Sequence, residues 1–104
     1  MKVRYNRRAL VQIEEIHVYI AERNPRAAAR VIARIEELCE KLSEFPGMGH
    51  QSDHSDIRVL PVVRYPYLIF YTVVGADDEV RILRVRHGRR EPMSVSEIAA
   101  DEDP

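Results

Sequence analysis

Cysteine occurs once in the 104 residues, at Cys39, so no internal disulfide can form and a reducing compartment is expected. Its place within a helical pattern makes it a small core residue rather than a nucleophile. Lysine is almost absent as well, with Lys2 and Lys41 the only two, so arginine carries nearly all of the positive charge. No apolar run approaches the length of a membrane span, and Glu14 and Glu15 interrupt the run that a signal peptide would need. A cytoplasmic protein with no membrane contact is the expectation. The four glycines form no phosphate-cradling loop, no serine-centred nucleophile motif is present, and no cofactor is expected.

What is present is an uneven charge. Residues 1–90 hold all sixteen basic side chains against twelve acidic ones, a balance of +4, whereas residues 91–104 hold five acids and no base. The length suits one domain with a single modest core. Residues 1–92 read as that domain and 93–104 as an acidic C-terminal tail. A basic body suits a partner of negative charge, and the tail either screens that surface or serves only as a solubilising end.

The apolar periodicity changes along the chain. Lys2 to Tyr5 reads as a short strand. Leu10, Ile13, Ile16 and Ile20 then recur at three- and four-residue steps, the mark of one helical face. Asn24-Pro25 is a junction, because asparagine caps orphan amides and proline at the first helical position has no N–H to lose. Ala28, Val31, Ile32, Ile35, Leu38, Cys39, Leu42 and Phe45 form the stripe of a second helix, which Pro46-Gly47 ends. So short a connection folds the helices into an antiparallel hairpin. Residues 46–56 read as a polar loop, and three hairpin-linked strands follow at Ile57–Val63, Tyr67–Val74 and Val80–His87. The expected fold is α+β, a short N-terminal strand and a helical hairpin packed on a mainly antiparallel sheet of three to four strands.

The chemistry gathers at the end of the last strand. Five of the sixteen basic residues lie between Arg81 and Arg90, around His87. In a regular strand Leu83, Val85 and His87 share one face, and Arg84 and Arg86 share the other with Val80 and Ile82. Arg58 and Arg64 are candidates to border the same groove. Forked guanidinium donors suit phosphate, and histidine suits proton transfer near neutral pH. Three readings stay open: a phosphate or nucleic-acid site, a dock for an acidic protein, and a solvated strand end paired with neighbouring acids. For metal-independent RNA cleavage the candidates are Arg58, Arg84 and His87, but a second titrating group is not evident. His50, Asp53, His54 and Asp56 match no zinc signature, and no metal is expected.

The order of these features resembles the ParE/RelE superfamily, the toxin halves of type II toxin–antitoxin pairs. The carriers are Tyr5, Ala9 and Ile13, then Asn24-Pro25 with Ala27-Ala28, and Pro46-Gly47-Met48-Gly49. Ile57-Arg58, Tyr65 through Tyr71, and Val85 through Arg90 complete the series. The ParE branch, associated with plasmid stabilisation, is the more similar one, through Asn24-Pro25 followed by alanines, Tyr65-Pro66-Tyr67, and the ending His87-Gly88-Arg89-Arg90. That resemblance implies a bacterial toxin that poisons DNA gyrase by binding, is neutralised by a cognate antitoxin, and forms a hetero-oligomer with it. The implied target-binding residues are Arg84, Arg86, His87, Arg89 and Arg90. Leu10, Ile13, Val31 and Ile35 are the candidates for antitoxin contact. The alternatives are a RelE-like ribosome-dependent mRNA interferase, for which the scarcity of lysine is unfavourable, and a non-toxic relative that keeps only antitoxin binding.

Overall fold

The computed structural model describes residues 1–89 and Ile98. Strand β1 spans Lys2–Tyr5 and hands the chain directly to helix α1, Arg7–Ala21. Asn6 makes that change abrupt: its side chain accepts the Ala9 amide at 2.8 Å and so caps the first turn. Asn24 repeats the device for helix α2, Pro25–Lys41, accepting the Ala27 amide at 3.0 Å with Pro25 opening the helix. The helix stops at Lys41, before the expected Pro46-Gly47, and Phe45 lies exposed instead of completing the apolar stripe. The intervening residues make tight turns, with Phe45 N–H bonding to the Lys41 carbonyl.

The remaining strands are β2 (His50–Gln51), β3 (Arg58–Pro61), β4 (Tyr67–Val74) and β5 (Glu79–His87), with a short 3-10 turn at Gly75–Asp77. They form one sheet in the order β1-β5-β4-β3-β2. Pairing is antiparallel except between β1 and β5, which run parallel with Val3 opposite Val80. The sheet therefore has one strand more than the upper expectation, because two residues of the polar loop pair with Arg58 and Val59.

Both helices lie on one face of the sheet. Their apolar stripes meet Leu60, Ile69, Tyr71, Val80, Ile82 and Val85 in the main core, where Ile35, Cys39 and Leu42 are fully enclosed. Burying a side chain of that size stabilises by about 1.5–3 kcal/mol, so this layer dominates the stability. The opposite face carries a second, smaller cluster of Ile57, Phe70 and Leu83, closed by Ile98 from the C-terminal segment. No helix among the described residues is long and apolar enough to cross a membrane.

Candidate functional site

The last strand is not regular. Phe70 pairs with Arg84 and Tyr71 with Ile82, which leaves Leu83 as an extra residue and breaks the register between Phe70 and Tyr71. A bulge of this kind reverses the alternation of side chains beyond it. Val80, Ile82 and Val85 consequently all face the helices, and His87 joins them opposite Tyr67. Leu83, Arg84 and Arg86 share the outer face with Phe70 and Leu68. The partition expected for an unbroken strand is thus corrected: Arg84 and Arg86 are parted from Val80 and Ile82, and Leu83 from Val85 and His87.

The arginine cluster divides three ways. Arg84 is 0% exposed, and its Nη1 donates to the Leu83 carbonyl at 2.6 Å, so it is part of the outer layer rather than a surface contact. This corrects its expected role in meeting a target directly. Arg86 is half-buried on the same face, while Arg89 is exposed just beyond the strand. Arg81 is tied back by the nearly buried carboxylate of Glu79, whose Oε2 accepts from Nε at 2.9 Å and from Nη2 at 2.7 Å. Arg90 lies outside the described residues.

His87 sits across the sheet from Arg84 and Arg86. Its ring meets Tyr67 edge-on, with centroids 5.6 Å apart and planes at 86°, and its Nδ1 accepts the Arg89 amide at 3.1 Å. The Gly88 amide donates to the Pro66 carbonyl at 2.8 Å, which pins the turn after the strand. His87 lines a groove of about 310 Å³ against α1, with Gln12, Glu15, Tyr19 and Tyr67. The Gln12 Oε1 accepts the Val85 amide at 2.8 Å, satisfying β5 where β1 no longer runs beside it.

Arg58 belongs to neither group. Its Nη2 donates to the Gly49 carbonyl at 2.7 Å and to Gly47 at 3.2 Å, and its Nη1 donates to Gln51. Beside it, Tyr71 Oη donates to the Pro46 carbonyl at 2.7 Å and accepts the Gly49 amide at 2.9 Å. Arg58 and Tyr71 are paired across β3 and β4, and together they clamp the loop before β2. Arg58 and His87 pair with β4 at Tyr71 and Tyr67, four positions and so about 13 Å apart along that strand. Arg84 lies on the other face. The three candidate catalytic groups do not converge, and Arg64, expected at the same groove, lines a different one against α2.

The residues expected to meet a partner also separate. Val31 and Ile35 are core residues, at 4% and 0% exposed, which corrects their expected surface role; Ile13 is half-buried against the same core. Leu10 is 54% exposed, and Val11 and Val18, which the helical stripe did not include, are 51% and 46% exposed. Helix α1 thus exposes three large aliphatic side chains, with the Tyr19 ring exposed as well. Their spacing over two turns was the signal, masked by the stronger stripe facing the core. Burial pushes the Cys39 thiol from 9.0 up to about 12, with the Tyr5 hydrogen bond pulling the other way, so at neutral pH it is a protonated core group.

Residues 3–92 match the ParE toxins of type II toxin–antitoxin systems, parDE. The chain belongs to the ParE toxin family. This ParE-family toxin is 36% identical over 90 residues to the putative toxin Y4kP of Sinorhizobium fredii, covering 86% of this chain and 91% of that one. It is 39% identical over 83 residues to the toxin RelE2 of Caulobacter vibrioides, covering 80% and 90%. Its fold matches a chain from the chromosomal ParDE TA system of P. aeruginosa with a TM-score of 0.73, at 24% identity over 84% of this chain and 95% of that one. The two capped helices on a mainly antiparallel sheet are therefore the ParE fold, and the Leu83 bulge determines which charges each face displays.

Proposed function

We propose that this ParE-family toxin acts by binding and poisoning DNA gyrase, and that a cognate antitoxin neutralises it by covering the outer side of α1. The observation that carries a binding rather than a cleaving role is the separation of Arg58, Arg84 and His87. RNA cleavage without a metal needs a base, an acid and a cation about one phosphate. Here one arginine clamps a loop, one is enclosed on the outer face, and the histidine lies against α1. The accessible groups at that end of the sheet, Arg86, His87 and Arg89, suit a grip on an anionic or polar surface of the target. An antitoxin helix with apolar residues at three- and four-residue spacing fits Leu10, Val11 and Val18.

The test pairs two assays on the purified toxin. Inhibition of gyrase supercoiling with ribosome-bound mRNA left intact is the expected result. Cleaved mRNA with normal supercoiling would establish the interferase reading instead. No effect in either assay, with the antitoxin still bound, would mark a non-toxic relative.

A further inference from the structure

The turn between β3 and β4 displays an arginine in a backbone conformation that arginine disfavours. The Tyr65 amide donates to the Val62 carbonyl at 3.0 Å, closing a four-residue turn, and Arg64 holds its third position at φ 78°. Positive φ at that position is ordinarily filled by glycine, which has no Cβ to crowd the neighbouring carbonyl, or by asparagine, whose short side chain bonds the local backbone. Pro66 follows and keeps Tyr65 extended, so the turn has little freedom to relax. Val63, beside Arg64, is 64% exposed, the highest exposure among the large apolar side chains described. A strained arginine next to an uncovered valine is costly for folding and points to use at the surface.

Both side chains border an open groove of about 500 Å³ whose other wall is α2. Arg30 and Arg34, one helical turn apart, contribute two more guanidinium groups, and Tyr65 contributes a ring. Arg34 Nη1 is held by Glu37 at 2.9 Å, while no ion pair engages Arg30 or Arg64 among the described residues. We infer that this groove docks an acidic segment of a partner protein, in which carboxylates flank an apolar residue. The carboxylates meet Arg30 and Arg64, and the apolar residue covers Val63 and Tyr65. A nucleic acid backbone fits less well, since it would leave the apolar Val63 uncovered. The antitoxin is the natural source of such a segment, so the inference rests on the partner reading above and adds a second contact on the far side of the helical hairpin.

The experiment uses the full chain and a fluorescein-labelled synthetic peptide with one leucine between pairs of glutamates, read by anisotropy. A single-stranded oligonucleotide of equal charge is the competitor. Arg64→Asn is expected to weaken peptide binding at least fivefold while leaving the melting temperature unchanged or higher, because asparagine accepts positive φ more readily. Arg64→Lys retains part of the affinity, and Val63→Ser weakens binding without altering its salt dependence. Absence of peptide binding, equal affinity in Arg64→Asn, or displacement by the oligonucleotide at lower concentration than by unlabelled peptide would each overturn the proposal. The supercoiling assay is independent of this groove, so the toxin reading and the groove fail separately.

Discussion

Tyr71 and Gly49 are joined by a 2.9 Å hydrogen bond, from the Gly49 amide to the tyrosine hydroxyl, across 22 residues of chain. The same hydroxyl donates to the Pro46 carbonyl, so one side chain of the central strand satisfies two backbone groups of the loop that leads from α2 into the sheet. A Cβ at Gly49 would come within 2.8 Å of the Tyr71 ring, its hydroxyl and the Val59 carbonyl. Gly49→Ala must therefore displace backbone, and a loss of about 1–3 kcal/mol is expected from overpacking. Tyr71→Phe leaves the buried Gly49 amide without its partner, for a loss of about 1–3 kcal/mol. Urea midpoints measure both. The double variant should lose less than the sum, because each change disrupts the same contact.

Cys39 and Tyr5 give the fold an alkaline limit. Burial raises the thiol from 9.0 to about 12, and burial is also the first cause of the rise at the Tyr5 hydroxyl, with Cys39 adding to it. A pKa raised on folding means that the protonated form is favoured in the native state. The contribution is complete below pH 9 and is lost as pH rises towards 12. Thermal scans should show a stable plateau up to about pH 9 and a falling melting temperature above it. Cys39→Ala should flatten part of that fall. Iodoacetamide at pH 8 should label the thiol only when urea unfolds the chain.

The parts of this fold that were legible in the sequence are those governed by local chemistry. Asn24-Pro25 could be read as a helix start because capping and the missing proline amide are properties of those two residues. The Leu83 bulge could not be read, because it depends on how β5 meets β4 rather than on any residue of its own. One inserted residue then reassigned every side chain from Arg84 to His87, and the candidate site with it. Arg58 was misplaced for a related reason. An arginine at the start of a strand looks free until a distant loop supplies carbonyls for it to bind.

Ile98 carries a separate expectation about the outer face. It is fully buried against Ile57, Phe70 and Leu83, although it comes from the segment that follows the last strand by eleven residues. Removing its side chain beyond Cβ should cost about 2–5 kcal/mol if the cavity cannot collapse, as for other enclosed isoleucines. Ile98→Ala should therefore lower the urea midpoint, and Ile98→Asp should in addition raise binding of a hydrophobic dye. An unchanged midpoint in both would show that the cluster contributes nothing in solution.

Arg84 and Arg89 lie five residues apart and should respond in opposite ways. Arg84 is enclosed on the outer face, with Nη1 bound to the Leu83 carbonyl, whereas Arg89 projects beyond the sheet. Truncating Arg84 to alanine removes a large enclosed side chain, for an expected loss of about 2–5 kcal/mol and less folded protein. Any loss of toxicity in that variant follows from the lost fold and should scale with it. Truncating Arg89 should alter stability by no more than about 0.5 kcal/mol, the usual effect at an exposed position. If Arg89 grips the target, Arg89→Ala, alone or with Arg86→Ala, should raise the toxin concentration needed to inhibit supercoiling while the melting curve stays in place. Growth on induction of each variant, set beside its measured stability, separates the two roles. Full toxicity in the Arg86 and Arg89 double variant would remove this end of the sheet from the target contact.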